Sequence, residues 1–167
     1  MKNREITIET LTAEDWPEAR AIFEEGIASG ISSLEKNAPN WEDFDRNHLT
    51  ICRFAGYIDQ NLAGWAALTP VSHRSAYAGV AEVSVYVSTR YHKKGVGSFL
   101  MDKLIACSEE NGIWTLQSTI FPENKPSIGL HKKFGFRLVG YREKIAKNRE
   151  GMWQDTILME RRSAQIK

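Results

Sequence analysis

The chain of 167 residues carries 22 Lys and Arg against 21 Asp and Glu, a formal net charge of +1, and 42% of its residues are hydrophobic. Such a balance gives no overall field that would attract nucleic acid or anionic lipid, so we expect neither kind of partner. The N-terminal sequence MKNREITIET is polar, and no later run approaches the roughly 18 apolar residues of a membrane span. We therefore predict one cytoplasmic globular domain over residues 1–167.

The two cysteines, Cys52 and Cys107, lie far apart in the sequence and in neither a CxxC nor a His-rich pattern. This spacing indicates neither a zinc site nor a disulfide framework. We expect both cysteines to be reduced and to behave as small hydrophobic residues. We also expect no bound metal.

The first half of the chain predicts a strand, two helices and a hairpin. Residues 4–9 alternate apolar and polar side chains as a strand does, and an amphipathic helix starts at Thr12 and continues to Ile27. Asn40 is suited to cap a second, short helix, WEDFDRNHL. The segments ICRFAGYI and LAGWAAL then flank a turn at residues 59–61. The long loop TPVSHRSAYAG follows, and loops of that length are usually functional.

The second half predicts a strand, VAEVSVYV, and a helix that follows the glycines of HKKGVG and ends at Asn111 and Gly112. Next come the strand IWTLQSTI and a short helix from Asn124 to about Gly135. The strands FRLVGYRE and MWQDTILME form a final antiparallel pair. The order β-α-α-β-β-β-α-β-α-β-β predicts a mixed sheet with helices, of the α/β or α+β class.

Two glycines, Gly95 and Gly97, open the third helix. Unpaired N–H groups and the helix dipole favour an anion there, and Lys93 and Lys94 add positive charge. The alternative is an ordinary helix start beside two solvated lysines. A dinucleotide-binding GxGxxG loop is disfavoured because Leu100 stands at the third glycine position and the loop follows the fourth strand, and no GxxxxGK phosphate loop occurs.

The segments HKKGVGSFLMDKL and ENKPSIGLHKKFGF, the first of which follows a strand with a glutamate, resemble the GNAT superfamily of acetyl-CoA-dependent N-acetyltransferases. The resemblance implies a single domain with a mixed, mostly antiparallel sheet of about seven strands and about four helices, with strands splayed at the acetyl-CoA site. The segments GIASGISSLEKNAPNWEDF, SHRSAYAGVAEVSVYV and GMWQDTILMERR are similar to the phosphinothricin and methionine sulfoximine N-acetyltransferase branch. That branch usually reads Phe-Glu-Thr where Leu34, Glu35 and Lys36 stand here, a departure that concerns the substrate side chain.

The resemblance also assigns residues to acetyl-CoA as co-substrate. His92 takes the first position of the family pattern Q/R-x-x-G-x-G/A, whose backbone wraps the pyrophosphate of coenzyme A. The strand of Val85 and Val87 would pair with the pantetheine arm, and Asn124 would bond to it. The expected cofactor-binding residues are Val85, Val87, His92, Lys93, Lys94, Gly95, Val96, Gly97, Ser98, Asn124 and Ser127.

Glu82, at the start of the strand before the glycines, is the candidate base, and a solvated strand-end glutamate is the alternative. Asn124, Ser127 and His131 recur at i, i+3 and i+7, so one helix face presents all three. The resemblance places His131 where many members have a tyrosine that protonates the departing thiolate, a role within reach of a histidine. A histidine that only packs on the cofactor is the alternative.

For the acceptor, the branch places an arginine at Arg74, which with Tyr77 would hold a carboxylate. Leu34 and Glu35 would border the same pocket. The tryptophans at positions 41, 65 and 153 are expected to be packing residues in preference to a substrate cage.

The sequence thus predicts acetyl transfer from acetyl-CoA to the amine of a small amino acid or analogue, of the phosphinothricin, methionine sulfoximine or methionine sulfone type, by direct attack. Acetylation of a polyamine or a protein N-terminus, and a non-catalytic CoA-binding regulator, are the alternatives. The resemblance further implies a homodimer in which loops complete the neighbouring site.

Overall fold

A computed structural model describes residues 5–166, and its elements follow the predicted order. The strands and helices are β1 Ile6–Thr10, α1 Trp16–Ala28, α2 Trp41–Asn47, β2 Phe54–Ile58, β3 Asn61–Pro70, β4 Val80–Val87, α3 Val96–Glu110, β5 Thr115–Ile120, α4 Lys125–Lys133, β6 Arg137–Lys147 and β7 Trp153–Arg162. Short 3-10 helices at Ser75–Tyr77 and Thr89–Tyr91 flank β4. Residue 4, where the first strand was expected to begin, lies outside the described residues. Within residues 5–166, no helix combines the length and apolar character needed to cross a membrane.

The strands form one seven-stranded sheet in the order β1-β2-β3-β4-β5-β7-β6. Neighbouring strands are antiparallel except for β4 and β5, which are parallel. This arrangement confirms the mixed, mostly antiparallel sheet with four helices that the family resemblance implies.

Local sequence signals account for several element boundaries. The side chain of Asn40 accepts a hydrogen bond from the Asp43 N–H at 2.9 Å, and Asn124 accepts one from the Ser127 N–H at 3.2 Å. Each cap satisfies a helix N–H that would otherwise have no partner, worth about 1 kcal/mol. The β2–β3 turn is shorter than expected, because Asn61 already belongs to β3 and the two turn residues carry positive φ angles of 49° and 65°.

The sheet buries a different core on each face because side chains alternate along β3. Ala66 and Leu68 pack with α3, whereas Trp65 and Ala67 pack with the aromatic residues of α1 and α2. Trp65 is buried and Trp41 packs against the second core, so both are packing residues as predicted. The prediction is wrong for Trp153, whose side chain is 60% exposed because no helix covers that part of β7.

The two central strands separate partway along their length. β4 pairs with β5 only at Val80 with Thr115, Ala81 with Leu116 and Glu82 with Gln117. On its other side β4 stays paired with β3 as far as Val87. The splayed strands that the family resemblance implies are therefore present, and the divergence begins after Glu82.

The prediction that both cysteines are reduced is wrong, since Cys52 and Cys107 form a disulfide. Their Cα atoms are 5.6 Å apart although 55 positions separate them in sequence. Packing of α3 on the sheet brings Cys107 to the connection between α2 and β2, and spacing along the chain carries no sign of this contact. The bridge links the connection that follows α2 to the last turn of α3.

We expect reduction of this bridge to lower the free energy of unfolding by up to about 4 kcal/mol, because the open chain regains the entropy of a loop of 55 residues. Guanidinium unfolding with and without dithiothreitol measures the difference. The double variant Cys52→Ser with Cys107→Ser is the control, since reductant has no bond to break there. Equal midpoints for the oxidised and reduced wild-type protein would contradict the expectation.

Candidate active site

A cleft of about 1240 Å³ opens where β4 and β5 diverge. Its walls come from β4, the start of α3, α4, the end of β5, and the connection between α1 and α2. One continuous space therefore joins the glycine loop to the segments that were expected to border an acceptor. Sites for drug-sized ligands usually measure roughly 300–1,000 Å³, so this cleft has room for a larger ligand.

The start of α3 forms one end of the cleft. Gly95 has φ +90°, a left-handed conformation that glycine adopts without strain, and no side chain caps the helix among the described residues. The first N–H groups of α3 are therefore open to a ligand. The Lys133 ammonium donates to the Ser98 hydroxyl at 2.9 Å, which brings a positive charge from α4 to the same place. Together these features suit an anion.

Nearly all the residues predicted to bind the cofactor line this cleft. They are Val85, Val87, His92, Lys93, Gly95, Val96, Gly97, Ser98, Asn124 and Ser127. Lys94 does not, because its ammonium donates to the Arg90 carbonyl at 3.0 Å and lies over the Tyr91 ring. The Nε2–H of His92 donates to the Val87 carbonyl at 3.0 Å, so this ring joins the loop to the end of β4.

Glu82 lines the cleft at the point where the strands begin to diverge. Its side chain is half-buried and lies on the same face of β4 as Tyr86, which packs with the α1 and α2 core. Carboxylate atom Oε2 accepts a hydrogen bond from Gln117 Nε2 at 2.9 Å. The second oxygen, Oε1, has no partner among the described residues, which leaves it for a ligand.

His131 also lines the cleft but is only 3% exposed. Its Nδ1 lies 2.7 Å from the Ser127 carbonyl oxygen, so we assign the hydrogen to Nδ1, and Nε2 is without a partner among the described residues. The ring packs edge-on against Phe136. Burial lowers the pKa of His131 below its usual value, although the Ser127 hydrogen bond opposes the shift, so the ring is neutral at pH 7.

Leu34 and Glu35 border the other end of the cleft, which we call the acceptor end. The Tyr86 hydroxyl donates to the Ser32 carbonyl at 3.2 Å and holds this connection against β4. Burial, together with the nearby Glu35 carboxylate, raises the pKa of Tyr86 to about 12, although a hydrogen bond with Ser33 opposes the shift. Tyr86 therefore stays protonated and keeps its hydrogen bond at physiological pH.

Arg74 and Tyr77 do not line the cleft in a single chain. Both lie in the exposed connection between β3 and β4, where the Arg74 guanidinium stands 5.6 Å from the centre of the Tyr77 ring. His73, their neighbour, is the cleft-lining residue of this connection.

The sequence analysis missed the contribution of α2. Asp43, Arg46, Asn47 and His48 line the acceptor end, and Arg46 pairs with Asp43 at 3.0 Å. Burial lowers the pKa of His48, opposed by a 2.8 Å hydrogen bond to the Phe44 carbonyl. The spacing i, i+3 and i+4 places the first three of these residues on one helix face and was the available signal.

The cleft therefore has the positively charged N-terminus of α3 at one end and both acidic and basic side chains at the acceptor end. Glu82, with its Oε1 atom unpartnered among the described residues, also lines it. This set of groups suits binding of an anionic ligand at one end and proton transfer near Glu82. Within residues 5–166, no group of three or more His, Cys, Asp or Glu side chains is arranged to hold a metal ion.

Comparison with known proteins gives matches to acetyltransferases. The Acetyltransferase (GNAT) family matches residues 8–136. A phosphinothricin N-acetyltransferase of Streptomyces viridochromogenes is 33% identical over 158 residues, which cover 92% of this chain and 86% of that one. A protein of Bacillus subtilis, provisionally named a phosphinothricin acetyltransferase, is 40% identical over 76 residues, and this match spans about half of each protein, 46% of this chain and 47% of that one.

Among solved structures, a phosphinothricin acetyltransferase from Sinorhizobium meliloti, crystallised in complex with acetyl-CoA, superposes with a TM-score of 0.83. The match covers 96% of this chain and 90% of that one at 24% sequence identity. At this identity the likeness concerns the fold.

Proposed function

The chain belongs to the GNAT acetyltransferase family, and on that premise we propose that it transfers the acetyl group of acetyl-CoA to the amine of a small amino acid or amino acid analogue. The observation that carries the proposal is the divergence of β4 from β5. It opens a cleft with an uncapped helix start at one end and Glu82 beside the acceptor end. A cofactor with an anionic head and a long arm fits this shape, with its reactive end near the carboxylate.

Acetyl-CoA would supply an activated acetyl thioester. The N–H groups of Val96, Gly97 and Ser98 would hold its diphosphate, with Lys93 and Lys133 adding charge. Backbone groups of Val85 and the N–H of Val87, whose carbonyl is already bonded to His92, would bind the arm, because β5 has left that side of β4. Asn124 uses its oxygen to cap α4, which leaves its amide N–H groups to donate to the same arm.

Glu82 is our candidate for the base that removes a proton from the acceptor amine. One carboxylate oxygen is fixed by Gln117, and the other is open on the cleft side. The nitrogen must be neutral to attack a carbonyl carbon, so a proton has to leave it either directly to Glu82 or through a water. Carbon–nitrogen bond formation is then followed by loss of the thiolate, which needs a proton in turn.

His131 is our candidate for the group that returns this proton. Because Nδ1–H is bonded to Ser127, only Nε2 is left to exchange a proton in the cleft, and the neutral ring carries none there. We infer that His131 accepts at Nε2 the proton that the attacking nitrogen loses once the carbon–nitrogen bond has formed, and then donates that proton to the departing thiolate. Its lowered pKa favours the second step, since the protonated ring is a stronger acid than a histidine in water.

The charge of the acceptor end favours an amino acid over a polyamine. Glu35 and Asp43 are accompanied there by Arg46, which suits an acceptor with both an amine and a carboxylate better than a polycation. The proposed roles of Arg74 and Tyr77 in carboxylate binding require the β3–β4 connection to move toward the cleft, or a second copy of the chain to approach it. The relatives named for phosphinothricin support an acceptor of the phosphinothricin type, and we extend the proposal to methionine sulfoximine and methionine sulfone on the sequence resemblance.

We also propose a homodimer. Strand β6 is an edge strand, and β6 with the start of β7 exposes a group of apolar side chains: Leu138, Val139, Tyr141, Ile145, Met152 and Trp153. A second copy would cover both the free edge and this patch.

The cytoplasmic location expected from the sequence stays a proposal, and the Cys52–Cys107 bridge bears on it because disulfides seldom persist in a reducing cytoplasm.

Substitution at Gly97 tests the cofactor site. A Cβ at this position would lie 3.4 Å from Leu130 Cδ2 and 3.7 Å from Val87 Cγ2, which are ordinary contacts, so a small side chain fits. We expect Gly97→Asp to weaken acetyl-CoA binding at least about tenfold relative to Gly97→Asn, because the two differ only in charge beside a diphosphate. Isothermal titration calorimetry measures both affinities, and equal affinities would exclude the diphosphate from this loop.

Release of free coenzyme A from acetyl-CoA, followed by thiol colorimetry over a panel of amines, tests the reaction. The panel holds phosphinothricin, methionine sulfoximine, methionine sulfone, common amino acids, spermidine and an N-terminal peptide. We expect turnover confined to the amino acids and their analogues, and about a hundredfold slower turnover in Glu82→Gln. Turnover of spermidine or the peptide alone would replace the proposed acceptor, and acetyl-CoA binding with no turnover would favour the regulator.

Sedimentation velocity tests the dimer. We expect the wild-type protein to sediment as a dimer at micromolar concentration and Leu138→Lys to sediment as a monomer, because a charge in the covered patch opposes association. Ile51→Lys is the matched control, since Ile51 is 39% exposed but lies away from β6. A monomeric wild-type protein would rule out the dimer.

A further inference from the structure

A row of polar side chains crosses the sheet beside the cleft. Each of five strands contributes one residue in direct register, from Thr69 on β3 through Glu82 on β4, Gln117 on β5 and Glu160 on β7 to Arg137 on β6. Directly paired residues point to the same face of a sheet. Gln117 is therefore the uncharged member between two carboxylates.

The contact between Gln117 and Glu82 lies at a fixed point of the backbone. These residues form the last pair of the β4–β5 ladder, so their backbones are held before the strands separate. Gln117 Nε2 is 2.9 Å from Glu82 Oε2, and both side chains are half-buried. A hydrogen bond between two side chains that leave a paired ladder restricts the rotamers of both.

The neighbour on the far side of Gln117 keeps its negative charge. Glu160 is paired with Arg137 and with Arg162. Although burial opposes the effect, hydrogen bonds from these two guanidinium groups lower the pKa of Glu160. A glutamate at position 117 would lie between two carboxylates, whereas glutamine donates a hydrogen bond to Glu82 and adds no charge.

We propose that Gln117 is a positioning residue that holds Glu82 Oε2 and thereby leaves Oε1 for the proton of the acceptor amine. The inference rests on the proposed function, in which Glu82 accepts that proton. Gln117 is not among the residues that line the cleft, so it acts on the reaction through Glu82 and does not contact the acceptor.

The test compares Gln117→Leu, which removes the donor, with Gln117→Glu, which replaces it by a carboxylate. A hydrogen bond to a charged group corresponds to about a tenfold effect, so we expect kcat to fall about tenfold in Gln117→Leu and further in Gln117→Glu. The KM for acetyl-CoA is expected to stay unchanged, because the cofactor end of the cleft is untouched. The acid limb of the kcat profile should move to higher pH in both variants.

A matched control comes from the same sheet. Gln154 on β7 makes the same type of contact with Glu123, longer and exposed, with Nε2 3.4 Å from Oε2, and neither residue lines the cleft. We expect Gln154→Leu to leave kcat and its pH profile unchanged. The other titratable or charged groups that line the acceptor end beside Glu82 are Glu35, Asp43, Arg46, His48 and His73, and they are the same in every variant.

Carboxyl ¹³C NMR of the unliganded protein reads the contact without turnover, with the Glu82 signal assigned by its loss in Glu82→Gln. Removal of the donor should change the Glu82 carboxyl ¹³C chemical shift at fixed pH in Gln117→Leu, because Oε2 loses the hydrogen bond from Gln117 Nε2. An unchanged Glu82 carboxyl signal, or an unchanged kcat profile in a folded Gln117→Leu, would overturn the inference. If Gln117→Leu does not fold, Gln117→Asn, whose amide is one methylene short, takes its place in both measurements.

The two measurements distinguish the role of Glu82 as the base from the role of Gln117 in positioning it. Wild-type turnover in Glu82→Gln would refute Glu82 as the base, while the carboxyl signal of Glu82 would still decide whether Gln117 holds it. A slow Glu82→Gln together with an unaffected Gln117→Leu would refute the positioning role alone.

Discussion

Beyond Glu82 and Gln117, strands β4 and β5 no longer exchange backbone hydrogen bonds, and the cleft exists because of this separation. Unpaired N–H and C=O groups are costly when buried, so a strand that loses one neighbour must meet solvent or a ligand on that side. β4 tolerates the loss because β3 supports it along the other edge as far as Val87. The same exposed edge is what an extended cofactor arm would need.

The two faces of the sheet support the two ends of the cleft independently. On the α1 and α2 face, Trp65 packs edge-on with Phe44 and stacks with Tyr86, whose hydroxyl reaches the connection that borders the acceptor end. On the other face, α3 packs with the larger core and presents its N-terminus to the cleft. The cofactor and acceptor ends are thus built from separate helices, which pack on opposite faces of β3 and β4.

The position of α2 depends on one buried charge. Arg53 is 6% exposed, and its guanidinium donates to the carbonyls of Asp45 and His48, each at 2.9 Å, and to the Asp45 carboxylate. A buried guanidinium is tolerable only when its donors are satisfied, so the end of α2 is held where those acceptors lie. The disulfide begins at the preceding residue, Cys52, and fixes the same connection to α3. Both interactions hold the helix that lines the acceptor end.

The sequence by itself determined the features that depend on a few neighbouring residues. The caps at Asn40 and Asn124, the glycine loop before α3 and the order of strands and helices all follow from local preferences of the chain. Most of the residues that the resemblance assigns to the cofactor line the cleft. Only the tertiary structure decided the Cys52–Cys107 bridge, the exposure of Trp153 and the contact of Gln117 with Glu82. These depend on strand register and helix packing between segments far apart in the chain, for which single residues carry no local signal.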